Sequence, residues 1–236
     1  MDNNIERYRL YLEQDDLWGI NPQDMVRYIR LLCQEYHIKR DLDGGEYILI
    51  ESKGLNFDYI IYEPNGNRNK VLIDYFYNAL RVNQKNFFLT PYSKEQLKDM
   101  FLFKVKNLDA GFAIKETKDR HDSPTRDIVG VHNNSDVKRI GSKLILDAIK
   151  NDGKTLDHFD GFLSGLYSDL GFDGYHADEW DDQYTPTGWD FNPVDIRNKT
   201  YHSDKLDKYD INTYNKIKKR YDSGKPDIVY RKFKKS

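Results

Sequence analysis

The 236-residue chain holds a single cysteine, Cys33, which excludes an intrachain disulfide framework and a cysteine-based zinc site. Its formal net charge is only -2, so the overall balance announces no polyanionic partner, and nucleic acid is not expected as one. No apolar run approaches the roughly 20 residues that span a bilayer. The stretch "MDNNIERYRLYLEQDD" lacks the basic start and apolar core of a signal peptide. A soluble protein with no membrane association, cytoplasmic at synthesis, is therefore expected. There is no Walker A loop, dinucleotide fingerprint, Ser-His-Asp order or complete EF-hand loop, and no internal repeat or low-complexity tract.

Aromatic residues are plentiful: 14% of the chain, with 18 Tyr, a composition that argues against disorder. Charged residues make up 32% and hydrophobic ones 38%, so a folded chain with a wet, charged surface is predicted. The length suits one large domain or a medium one with an extension. Charge is clustered: "NKIKKRYDSG" and "RKFKKS" are basic and "DEWDD" is acidic, as on solvated faces.

Two regions are predicted. In residues 1–95, "NPQDMVRYIRLLCQEYHI" spaces Met25, Ile29, Leu32 and Cys33 as a helix, with Asn21 as its cap and Pro22 in its first turn. "DGG" is a turn, and "EYILIE" and "FDYIIYE" read as a hairpin. "KVLIDYFYNAL" fits a short helix or a strand. In residues 96–236, "MFLFKVK" and "GFAIKE" are strands, "KDRHDSPTR" is a polar loop and "DIVGVH" is a strand. "SDVKRIGSKLILDAIKNDG" is a helix with Ile140, Leu144, Ile145, Ala148 and Ile149 on one face, ended by Gly153. "TLDHF" is a strand. Asp160 is placed to cap the next helix, whose stripe is Phe162, Leu163, Leu166, Tyr167 and Leu170, with Gly171 as the stop. "FDGYHADEW" is a strand, an insertion occupies about 181–224, and a basic helix leads to the final strand "PDIVYRKF". Strand-helix-strand units place a parallel pair in a mixed sheet flanked by helices, an α+β (α/β) fold with an N-terminal α+β extension.

"DIVGVHNNSDVKRIGSKLILDAI" and "FDGFLSGLYSDLGF" resemble two stretches of the GNAT acyltransferase superfamily, and the likeness covers roughly residues 101–233. In the family a strand leads into a helix whose turn reads Arg/Gln-x-x-Gly-x-Gly/Ala. Here Asp136 stands in the leading position, Arg139 in the middle glycine position and Gly141 in the last. The second stretch is similar to Asn-x-x-Ala-x-x-Leu/Phe-Tyr-x-x-x-Gly-Phe, with Asp160 and Leu163 in the Asn and Ala positions and Leu166, Tyr167, Gly171 and Phe172 matching.

The resemblance implies acetyl-CoA as cofactor, lying in a splay between "DIVGV" and "TLDHF". Its pantetheine arm would pair with the backbone of Val129 and Val131. Its pyrophosphate would meet Lys138, Arg139, Ile140, Gly141 and Ser142, because a helix N-terminus presents unpaired N–H groups and partial positive charge. Asp160 is assigned to the same cofactor-binding set. Tyr167 would protonate the departing thiolate: a phenol near 10 and a thiol near about 8.5 need little tuning. Tyr167 also fits the apolar stripe as a packing residue. The amine acceptor needs a base; His132 is the first candidate, because imidazole titrates near neutrality, and Glu116 the second. A surface histidine capping a turn is the plainer reading of His132. "HADEWDDQY" could hold a cationic acceptor or a metal, or be a solvated loop.

"LDHFDG", "WDDQYTPTGWDF" and "PDIVYR" look like a divergent GNAT-like branch encoded by bacteriophages, some members of which are thought to be virion-associated. The alternative to an acyltransferase is therefore a catalytically degenerate module in a phage particle, docked onto phage structural proteins through residues 1–95 and assembling as a homo-oligomer. Asp136, Arg139 and the missing Glu favour that alternative; Tyr167 and Gly141 favour the enzyme.

Overall fold

The computed structural model describes residues 37–40, 46–50, 55–64, 71–82, 88–119, 122–193, 195–197 and 199–234. The predicted helix between Asn21 and Cys33 and the "DGG" turn lie outside them. His37 and Ile38, the last two residues of that stretch, begin a strand.

The described elements are β1 (His37–Arg40), β2 (Glu46–Ile50), β3 (Tyr59–Tyr62), α1 (Val71–Val82), α2 (Lys94–Lys98), β4 (Met100–Val105), β5 (Ala110–Lys118), β6 (Pro124–Asn133), α3 (Gly141–Lys150), β7 (Thr155–Phe159), α4 (Phe162–Asp169), β8 (Phe172–Asp178), α5 (Ile211–Asp222) and β9 (Ile228–Phe233). They form one mixed sheet in the order β1-β2-β3-β4-β5-β6-β7-β9-β8. Among the described residues β6–β7 is the parallel pair, and every other neighbouring pair is antiparallel. The fold is α+β, a mixed sheet flanked by helices.

Residues 59–82, ahead of the 95/96 division, contribute β3 and α1 to the same sheet and core as the residues after it. "KVLIDYFYNAL" resolves as helix because Leu72, Phe76 and Leu80 recur every fourth residue and all three are buried. With Leu97 of α2 they cover Leu102, Ala113 and Val129 on one face of the sheet. The other face carries Tyr59, Phe103, Phe112, Ile114, Ile128 and Leu156 under Leu144 and Ile145 of α3. Asp147 of α3, fully buried, accepts from the Tyr59 hydroxyl at 2.7 Å and from the Asn56 backbone N–H at 2.9 Å. That carboxylate ties the start of β3 to α3.

Several boundaries differ from the sequence reading. β5 and β6 run into "KDRHDSPTR", leaving a short connection around Asp119–Ser123. α3 begins only at Gly141, because Arg139 is in the left-handed region (φ 63) and breaks the helical path before it. α3 ends at Lys150, and the left-handed residue after it is Asp152 (φ 71) rather than Gly153. Gly153 serves a close approach instead: a Cβ there would lie 2.5 Å from Ile128 Cγ1. Asp160 does not cap α4, whose N-cap is Gly161 with no side-chain bond. Phe162 leaves the expected stripe and is 68% exposed, while Ser164 and Gly165 are the buried positions of α4. Gly171 ends that helix with φ 90, as expected.

Candidate active site

Two features of β6 prepare a cleft. Its register against β5 passes from Gly111↔His132 to Ala113↔Val129, so β6 carries one extra residue there. This is a β-bulge, and Gly130 meets its geometry with φ 58, a conformation that favours glycine. On the other edge, β6 and β7 share a single register pair, Asp127↔Thr155. Beyond it the parallel strands share no further pair, and the sheet opens between them.

Alternation along the strands sorts the side chains at this opening. Ile128 and Leu156 belong to the α3 face, so Asp127, Thr155 and Asp157 point to the α1/α2 face. The Thr155 hydroxyl donates to Asp127 Oδ1 at 2.5 Å. Lys115 sits opposite Asp127 in the β5–β6 register. Burial raises the Asp127 carboxyl, while Thr155 and Lys115 pull it down. Asp157 is pushed up to about 6, first by desolvation and then by the charge of Asp127, although solvent still reaches its side chain. Tyr92, just ahead of α2, is raised to about 12 by burial and by Asp157. Asp157 is an exposed residue, so solvent moderates the shift, but burial of its surroundings and Asp127 both raise its affinity for a proton, the direction that suits a general base.

Tyr167 lies on the opposite face of β7. Its ring meets His158 edge-on at 5.0 Å and Phe172 at 6.2 Å. Burial, then Asp157, raises its phenol to about 12, so it holds its proton at neutral pH. His158 is a fixed neutral support. Arg231 Nε donates to its Nε2 at 2.9 Å, which leaves Nδ1–H to donate to the Phe159 carbonyl at 2.8 Å. Burial, with Arg231 adding repulsion, lowers the imidazole to about 3. Arg231 Nη1 also donates to the Phe172 carbonyl at 3.0 Å, joining β7 to the start of β8.

The start of α3 is uncapped by any side chain, so its first N–H groups face outward. Lys138 and Arg139 are exposed beside it, and a Cβ on Gly141 would meet nothing within 4 Å. Ser142 follows in the first turn, Ile140 is buried in the α3 core, and Asp136 is exposed on the same approach. This end can receive an anion, with Asp136 opposing it.

The remaining sequence-predicted residues are dispersed. His132 is 4% exposed, wedged against Phe76 at 5.1 Å. Its Nδ1 lies 2.9 Å from the Gly130 carbonyl and its Nε2 3.0 Å from the Tyr75 hydroxyl, and burial lowers its pKa. Glu116 is exposed on the α3 face and paired with Arg126 at 3.1 Å. Val129 is buried under α1, and Val131 packs against the opposite core. Asp160 is fully buried behind α4, accepting from Ser164 Oγ at 2.6 Å and the Tyr201 N–H at 2.7 Å, with Oδ2 left without a hydrogen bond. The acidic stretch is largely used in pairs: Asp178 with His176 at 2.8 Å, Glu179 with Arg220 at 3.5 Å and Asp182 with Lys225 at 2.7 Å. Among the described residues no group of three His, Cys, Asp or Glu is placed to hold a metal ion.

Asp127, Asp157, Lys115 and Tyr92 were not singled out from sequence. The signal was present in "TLDHF", where Thr155 and Asp157 alternate with apolar Leu156 on a strand bounded by core residues. A polar set on one face of such a strand marks a face turned to a cleft. Comparison of the chain with protein-family models, curated proteins and solved structures finds no match.

Proposed function

We propose that this protein is an N-acyltransferase of GNAT type, moving an acyl group from acetyl-CoA to an amine. The observation that carries this reading is the opening between β6 and β7 with Asp157 on one face and Tyr167 on the other. The uncapped start of α3, with Lys138 and Arg139, would take the pyrophosphate, and the bulged backbone of Val129 and Val131 the pantetheine arm. Acetyl-CoA supplies the activated acyl carbon. Asp157 accepts a proton from the amine nitrogen, so that its lone pair can form the new C–N bond. As the C–S bond breaks, Tyr167 O–H donates a proton to the sulfur. Once the C–N bond has formed, the nitrogen gives up its second proton, which passes through solvent to restore the Tyr167 O–H. Asp157 releases the first to solvent, so that an ammonium and a thioester become an amide, a thiol and one proton. His132 and Glu116 are replaced in the base role by Asp157, because one is enclosed by α1 and the other is paired on the far face.

The test is a calorimetric titration with acetyl-CoA of the wild type and Tyr167→Phe. Saturable binding by both, with thiol release lost only in the variant, supports the enzyme. A second reading, a non-catalytic phage module, is favoured by Asp136 and by Arg139 in the glycine position at the entry to α3. No binding at about millimolar cofactor, together with self-assembly seen by light scattering, supports that module. Its docking segment, residues 1–95, lies largely outside the described residues. No helix among the described residues is long and apolar enough to cross a membrane.

A further inference from the structure

Four aromatic rings at the end of β7 belong to none of the apolar core clusters. Phe159 packs on Trp189 at 4.6 Å, on Trp180 at 5.7 Å and on Phe88 at 6.4 Å between ring centres, and the two tryptophans lie 4.8 Å apart. All four are half-buried, so part of each is open to solvent. Trp189 Nε1 donates to the Gly224 carbonyl at 2.7 Å and Trp180 Nε1 to Asp182 Oδ1 at 2.8 Å. Trp189 also stacks on Phe191 at 5.7 Å, so one of its faces is covered; the polar ends are fixed, and what the group offers a ligand is the solvent-facing part of its rings.

This wall adjoins the acid pair. Phe159 follows Asp157 by two residues and shares its face of β7, about 7 Å further along the strand. Asp127, Asp157 and Asp119 stand against two cations, Lys115 and Lys232, the latter opposite Thr155 and paired with Asp119 at 3.8 Å, so the local balance is negative. We propose that the acceptor is a cationic amine carried on a short alkyl arm from an aromatic or broad apolar group. The nitrogen lies at Asp157 and the ring lies on the Phe159, Trp180 and Trp189 wall. Ring-on-ring contact and the carboxylate together select it: a neutral analogue loses the charge interaction and a polyamine loses the apolar contact. The acyl-transfer half of this assignment rests on the function proposed above; the binding half does not.

The two are separated by measuring binding without cofactor. Two of the three tryptophans of the chain are in the wall, so their emission reports occupancy. The expected result is saturable quenching by phenethylamine, weaker by about tenfold or more for N-acetylphenethylamine and for spermidine, and weakened about tenfold in both Asp157→Asn and Trp189→Leu. Thiol release from acetyl-CoA with phenethylamine is then measured. Binding without turnover supports the inference and overturns the transferase reading. Turnover more efficient with spermidine or with a lysine-bearing peptide than with phenethylamine overturns the inference and leaves the transferase reading standing. Absence of amine binding, or equal binding by the Trp189→Leu variant with its fold intact by circular dichroism, also overturns the inference.

Discussion

Asp157→Asn should make the protein more stable at neutral pH while removing its candidate base. The wild-type carboxyl titrates near 4 in an unfolded chain and at about 6 in the fold. The fold therefore holds a proton more tightly than the unfolded chain does, and ionising the group penalises the native state. Nothing is lost below about pH 4, where both states are protonated; the penalty grows between about pH 4 and 6 and is complete above. Two pKa units correspond to about 3 kcal/mol. Solvent reaches the side chain, so screening reduces this to about 1 kcal/mol. Asparagine keeps the shape and carries no charge to desolvate. Asp127 shifts in the same sense, because it loses a like-charged neighbour. Urea unfolding of both proteins at about pH 4 and about pH 7.5 reads the effect as a midpoint difference that appears only at the higher pH. A variant destabilised at neutral pH, or a difference independent of pH, would refute the reasoning. In the transferase, the same change should lower turnover by roughly 10²–10⁴-fold.

Asp147→Ala should cost about 3 kcal/mol by urea unfolding, since it orphans the buried Tyr59 hydroxyl and releases the Asn56 N–H. Arg139→Gly should raise the thermal midpoint, because the left-handed position at φ 63 strains any residue with a Cβ by about 1 kcal/mol. Gly153→Ala should lower stability by about 1–3 kcal/mol: the new methyl would sit 2.9 Å from the Ala148 carbonyl oxygen as well as against Ile128.

Most of the fold's elements were legible where period and punctuation agreed. "MFLFKVK", "GFAIKE" and "TLDHF" became β4, β5 and β7, and Gly171 stopped α4. "KVLIDYFYNAL" stayed undecided because nearly every position is apolar or aromatic, and only burial against β4 and β5 selects the helical face. Asp160 matched the pattern of a cap, but Ser164 and the Tyr201 backbone, 41 residues away, hold its carboxylate instead. Long-range partners of that kind leave no local trace. The site followed the same division. Tyr167 was placed on the apolar stripe, and it packs there against His158 and Phe172. Asp157 becomes a candidate base only once the fold desolvates it and brings Asp127, on the neighbouring strand 30 residues earlier, close enough to add to its affinity for a proton.

The single register pair between β6 and β7 contrasts with the five that join β7 to β9. Mechanically, the sheet is two stiff plates sharing a short seam at Asp127 and Thr155. In the proposed transferase, a molecule threaded past that seam would act as a splice, bridging the two plates where the sheet does not. Occupancy would then be written into the rigidity of the whole molecule. Amide exchange in β6 and β7 should slow together when the cleft is filled, and the width of the opening becomes an elastic variable that the bound molecule sets.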